Sequence, residues 1–248
     1  MIFIKSVNEL NLMREAGKIV ALVIAELSSR IKEGISTYEL AEKAEEIFGR
    51  LGAIPAFKNY RGFPGVICTS VNEELIHGIP QRKKILKEGD VVSLDVGANY
   101  KGFFADAAVT LGVGKISSEA ERLIDTTREA LYTGINSAKA NTHLGNISSA
   151  IQSYVEERGF SVVREFVGHG IGSRMHEEPE VPNFGEPGFG PLLKNGMTLA
   201  IEPMVNLGGP EVEILSDGWT VVSKDRKLTA HFEHTICIND NTPIILTA

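Results

Sequence analysis

A chain of 248 residues, 43% hydrophobic and 23% charged, has the material for one substantial core, as one large domain or two small ones. A net charge of −7 and the lack of an obvious local basic patch disfavour nucleic acid and anionic membrane as partners. The longest apolar run, "IVALVIA" at 19 to 25, is too short for a membrane span, and the charged N-terminal region is no secretory signal.

Ser6 with Glu9 and Ser36 with Glu39 fit the capping box that satisfies free amides at a helix start. They predict helices at about 6 to 30 and 37 to 51, the second ended by Gly52. Runs rich in β-branched and aromatic residues follow: "GVICTSV" at 65 to 71, "DVVSLDVG" at 90 to 97 and "FFADAAVTLGV" at 103 to 113. Ser118 with Glu121 then opens a long helix to about 138, and Asn146 caps another that stops near Gly159. Further strand-like runs lie at 161 to 167, 197 to 202, 219 to 223 and 231 to 238.

Two helices and then strands, twice over, point to an internally duplicated α/β architecture with halves of about 1–115 and 116–248. "LKEGDVVSLD" at 86 to 95 aligns with "LKNGMTLAIE" at 193 to 202, which makes Glu202 the counterpart of Asp95. "IHGI" at 76 to 79 echoes "GHGI" at 168 to 171, which would pair His77 with His169. The two cysteines, Cys68 and Cys237, are far apart without CxxC spacing, so neither a disulfide framework nor a cysteine metal site is expected. That usage fits the cytoplasm.

Asp95, Asp106, Glu202 and Glu233 interrupt strands that are otherwise apolar. Burying ionised carboxylates together costs many kcal/mol unless cations lie between them, and Lys and Arg are scarce in those strands. A hairpin centred between Tyr100 and Lys101 would set Asp95 directly opposite Asp106, with Cβ atoms about 4.5–5.5 Å apart. Glu233 is read as the counterpart of Asp106, although the strings around them match poorly. His77, His169 and His176 lie in Gly/Pro-rich loops beside these strands. Four carboxylates with one or two imidazoles suit a pair of divalent ions bridged by carboxylates and a water, a centre for hydrolysis.

The sequence resembles the bacterial type I methionine aminopeptidases, of the pita-bread fold, nearly end to end. The resemblance is carried by "SVNEELIHGIP" at 70 to 80, "GDVVSLDVGANYKGFFADAAVT" at 89 to 110, "VVREFVGHGIGSRMHEEPEVPN" at 162 to 183, "GMTLAIEPMV" at 196 to 205 and "AHFEHTI" at 230 to 236. It implies a single catalytic domain of duplicated helix-helix-strand halves with pseudo-two-fold symmetry around a central antiparallel sheet. It also implies removal of the initiator methionine from nascent chains whose second residue is small, by attack of a metal-bridging water.

By that resemblance Asp95, Asp106, His169, Glu202 and Glu233 hold two divalent ions (Co, Mn, Fe, Zn or Ni), with Asp106 and Glu233 bridging. His77 and His176 are the non-ligand catalytic histidines that contact the scissile peptide, and Glu202 doubles as proton shuttle. Tyr60, Phe63, Cys68, Met175 and Trp219 line the methionine pocket. Phe63 stands where Tyr is frequent and Met175 where Leu or Phe is expected, so pocket detail departs from the common pattern. The resemblance further implies a monomer with no N-terminal zinc-binding extension and no type II helical insertion. It leaves room for a transient ribosome contact, with no nucleic-acid substrate. Proline-specific peptidases of the same fold, and pita-bread proteins that bind peptides without catalysis, are the alternative readings.

Overall fold

The computed structural model describes residues 1–240 and 242–248. The first half runs α1 (Val7–Ser28), α2 (Thr37–Leu51), β1 (Ile54–Pro55), β2 (Cys68–Val71), β3 (Glu74–Ile76), β4 (Val91–Tyr100) and β5 (Phe103–Gly112). The second opens on α3 (Ser118–Ser137) and α4 (Gly145–Glu156), then β6 (Ser161–Val162), β7 (Gly168–Gly170), β8 (Glu177–Val181), β9 (Thr198–Ile201) and β10 (Met204–Asn206). It closes with β11 (Val212–Ile214), β12 (Val221–Ser223), β13 (Thr229–His231), β14 (Glu233–Cys237) and β15 (Ile244–Ile245).

Both expected capping boxes form at α1 and α2, and Gly52 ends α2 in the left-handed conformation at φ 65°. At α3 the cap is Ser117 rather than Ser118: its extended backbone lets the hydroxyl accept the Ala120 amide. Asn146 does not cap α4. It lies in the first turn and accepts the Gly188 amide, while the loop carbonyls of Pro191 and Phe189 take the amides of Leu144 and Gly145. Several predicted strands are shorter than their apolar runs, and the run at 231 to 238 is divided at Phe232 between β13 and β14.

The central nine-stranded sheet is antiparallel throughout, in the order β1-β4-β5-β14-β9-β7-β8, with β2 on β4 and β15 on β14. Strand alternation divides its residues between two faces. Leu94, Val96, Ala105 and Ala107 pack with Val20, Val23, Leu40 and Ile47 of α1 and α2. Leu199, Ile201 and Ile236 pack with Leu123, Leu131 and Ile147 of α3 and α4. The intervening residues, Asp95, Asp106 and Glu233 among them, therefore face away from the helices. Two helix pairs on one side leave the acids on the other, at the middle of the sheet.

The β4–β5 hairpin corrects the direct pairing expected for Asp95 and Asp106. Its two-residue turn is Lys101–Gly102, both at positive φ (51° and 87°), so Tyr100 pairs with Phe103. Asp95 then lies opposite Ala108, and Asp106 opposite Gly97. The two carboxylates are diagonal neighbours on one face, still within reach of each other across small side chains.

The C-terminal segment closes on α1 at Gly17, where an added Cβ would fall 1.9 Å from the Leu246 carbonyl oxygen. Leu246 in turn donates to the Thr235 carbonyl on β14. Gly17→Ala should cost roughly 1–3 kcal/mol, as over-packing against backbone does. Thermal denaturation should show the lowered midpoint, and an unchanged midpoint would mean that this contact does not hold the C-terminal segment.

Candidate active site

Two rows of residues cross the acid-bearing face. In the first, Cys68, Asp95, Ala108 and Glu233 are in register across β2, β4, β5 and β14. Glu202, one residue past β9, continues this row beyond Glu233, since the preceding residue Ile201 pairs with His234. In the second row Gly97 faces Asp106, and Thr235, Ala200 and His169 follow. Ligand atoms of Asp106, His169 and Glu233 lie within 4.8 Å of one another. Asp95 flanks this trio, and Glu202 Oε1 comes to 3.6 Å from His169 Nε2.

The backbone at Asp106 and at His231 is held in an unusual, reciprocal way. The Thr235 hydroxyl accepts the Asp106 amide at 2.9 Å and donates to the Asp106 carbonyl at 2.8 Å. The Thr110 hydroxyl does the same for His231, at 2.9 Å and 2.7 Å. Each threonine side chain thus replaces a main-chain partner between β5 and β14. The strands are spread there without leaving amides unpaired.

Electrostatically the centre is unbalanced as protein alone. Burial raises Asp95 to about 7 and pushes Asp106, Glu202 and Glu233 well above the usual carboxylate range, each reinforced by neighbouring carboxylates. Asp95 Oδ1, Asp106 Oδ1 and Glu233 Oε1 are buried with no hydrogen-bond partner among the described residues. His169 donates from Nδ1 to the Gly170 carbonyl at 2.9 Å, which leaves its Nε2 lone pair directed into the site. Three orphaned carboxylate oxygens and a free imidazole lone pair are donors without an acceptor. Divalent cations fit that set: they supply the missing positive charge and restore the ionised carboxylates.

A cavity of about 180 Å³ opens onto this cluster, with the carboxylates and His77, His169 and His176 in its wall. Its apolar lining includes Tyr60, Phe63, Cys68 and Trp219 as expected, and adds Phe57, Ile76, Phe166 and Val167, which the sequence reading missed. Their only early signal was hydrophobicity, which core residues share. Met175 lies buried against this wall, packed with Phe57, Phe63 and Cys68 beside Gly97. Burial likewise pushes the Cys68 thiol far above its ordinary range, so it serves the wall as an uncharged group.

The two non-ligand histidines face the cavity from different loops. His77 has φ 56°, and its ring meets Phe166 and Trp219 edge-on at 6.0 and 6.4 Å. His176 Nδ1 lies 2.8 Å from the Tyr60 hydroxyl, and the two rings stack. The His176 loop is pinned by the buried Glu177, which pairs with Lys5 at 2.5 Å and accepts the Arg174 amide. Burial lowers His77 to about 4, and burial with the nearby Arg61 charge lowers His176 to about 4. Both imidazoles are neutral near pH 7 and can donate one N–H each to a bound peptide.

Taking Asp95 and Glu202 as equivalents, strand registers revise the histidine pairing. Ser70 holds on β2 the place that His169 holds on β7, and His77 follows Ser70 at the same spacing as His176 follows His169. The counterpart of His77 is therefore His176, not His169 as the echoed strings suggest. By the same registers Ala108 matches Glu233 and Asp106 matches His231, which explains the poor string match around Asp106 and Glu233.

Comparison with known proteins shows the family. Residues 11–240 match metallopeptidase family M24. The chain is 54% identical over 247 residues to methionine aminopeptidase 1 of Bacillus subtilis, covering 100% of this chain and 99% of that protein. The crystal structure of methionine aminopeptidase from Thermotoga maritima superposes with a TM-score of 0.98 at 47% identity, covering 100% and 99% of the two chains. A prolidase from Pyrococcus furiosus shares the fold at a TM-score of 0.81 and 24% identity, but this chain covers only 65% of it. The chain belongs to metallopeptidase family M24 and, within that pita-bread family, to the methionine aminopeptidases.

Proposed function

We propose that this chain removes the initiator methionine from nascent polypeptides whose second residue is small, using two divalent ions held by Asp95, Asp106, His169, Glu202 and Glu233. The observation that carries the reading is a small, largely apolar-walled cavity that opens onto unpartnered buried carboxylates. The ions, when bound, supply Lewis acidity and an activated water. Asp106 and Glu233 would be shared by both ions, Asp95 would hold one, and His169 with Glu202 would hold the other. Their identity is drawn from Co, Mn, Fe, Zn or Ni.

Tyr60, Phe63, Cys68 and Trp219 would seat the thioether chain, with Met175 supporting that wall from behind. His77 and His176 would orient the scissile peptide and donate to its carbonyl or amide as charge develops. Glu202, one oxygen of which lies 3.6 Å from His169 Nε2, would pass a proton to the leaving amine. The enzyme is read as a cytoplasmic monomer that meets chains as they are made, through at most a transient ribosome contact. No described helix is long and apolar enough to cross a membrane.

Turnover of Met-Ala-Ser against an X-Pro dipeptide tests the reading. After anaerobic loading with Mn²⁺, Fe²⁺ or Co²⁺, only the methionyl peptide is expected to be cleaved. Cleavage of the X-Pro substrate alone would establish a proline-specific peptidase, and inactivity with every ion would favour a non-catalytic peptide binder.

A further inference from the structure

His231 is outside the ligand set, yet its surroundings are those of a working group. It is buried, and neither ring nitrogen has a hydrogen-bond partner among the described residues. An unpaired buried polar atom costs about 1–3 kcal/mol, so two on one ring are not explained by packing. Its Nε2 lies 3.6 Å from Glu202 Oε2, while Glu202 Oε1 lies at the same distance from His169 Nε2. Glu202 thus stands between two imidazoles, one to each oxygen.

The fold places His231 there by the same device that places Asp106. Thr110 bridges the His231 backbone as Thr235 bridges that of Asp106, and the strand registers make the two residues equivalent across the halves. His231 therefore occupies the mirror position of an assigned metal ligand. Its nitrogens nevertheless do not join the close trio of Asp106, His169 and Glu233. Among the described carboxylates only Glu202 comes within ion-pair reach of a His231 nitrogen, which makes it the partner.

We infer that His231 is a positioning residue whose Nε2–H holds Glu202 Oε2, so that Oε1 alone is presented toward the ion beside His169. The 3.6 Å separation is slightly longer than a hydrogen bond, as such contacts often are before ligands bind, and a small rotation of the Glu202 carboxylate closes it. This inference rests on the two-ion reading of the site.

Calorimetric titration of metal-free protein with Mn²⁺, under argon, tests both and separates them. Wild type should bind two ions; binding of fewer would overturn the two-ion reading and this inference with it. His231→Phe, which keeps a ring but no donor, should weaken the ion that uses Glu202 by about 10- to 100-fold, the usual scale for loss of a residue that orients a ligand. His231→Gln, which restores an N–H, should return that affinity to within about threefold. In Met-Ala-Ser turnover at saturating metal, His231→Phe should lower kcat with KM little changed. Unchanged affinity in folded His231→Phe would overturn the assignment, and so would a His231→Gln variant as weak as His231→Phe. If His231→Phe does not fold, His231→Leu takes its place against the same His231→Gln comparison.

Discussion

Chelating the divalent ions should abolish turnover and reverse how stability depends on pH. In metal-free protein Asp95 is raised from its ordinary 3.8 to about 7, and Asp106, Glu202 and Glu233 also lie well above the carboxylate range. The sign follows from linkage: the folded state holds protons that the unfolded chain releases, so stability present at low pH is lost as pH rises through these folded values. The buried histidines act oppositely. His77, His169, His176, His231 and His234 are lowered to about 3 or 4, so stability tied to them rises between those values and the ordinary 6.5, then levels off.

The window above 6.5 therefore isolates the carboxylates. From about pH 6.5 to 8.5, metal-free protein should lose about 1.4 kcal/mol per pH unit for each proton given up on unfolding. Metal-loaded protein should hold or gain stability over the same range, because ion binding needs deprotonated ligands. Thermal denaturation with EDTA and with Mn²⁺ at both pH values measures the crossover. A metal-free midpoint that rises with pH would show that some other charge already neutralises the acids.

His77→Ala should lower kcat by about 10²-fold or more while metal content stays at the wild-type value. His77 lines the cavity rather than the close trio of ligand atoms, and its ring is steadied by Phe166 and Trp219. His77→Asn is the better control for folding, since its positive φ of 56° suits Asn more readily than Ala. Metal analysis beside steady-state kinetics decides the role: lost metal would make His77 a ligand, and unchanged kcat would remove it from the reaction.

Most of the architecture was legible because its signals are local. Ser6–Glu9 and Ser36–Glu39 satisfy helix amides within one turn, and the period-two apolar pattern of 91–98 marks a strand whose odd residue, Asp95, must face something polar. The Asp95–Asp106 offset was less legible, because it turns on which two residues form the hairpin. Lys101 and Gly102 at positive φ shift the partners yet keep both acids on one face, since the shift preserves parity. Ser117 and Ser118 offer equally good capping side chains in sequence, and only backbone direction separates them.

Four carboxylates in apolar strands with few basic neighbours mark a candidate hydrolytic metal centre in the amino-acid sequence alone, because buried acids that meet must share protons or clamp a cation. Strand registers and packing were needed to see that Met175 lies buried against Phe57, Phe63 and Cys68, that His77 mirrors His176, and that a His231 nitrogen lies 3.6 Å from Glu202. Those facts depend on strand registers and on the Thr110 and Thr235 bridges between β5 and β14. Such contacts join residues more than a hundred positions apart. No local pattern encodes them.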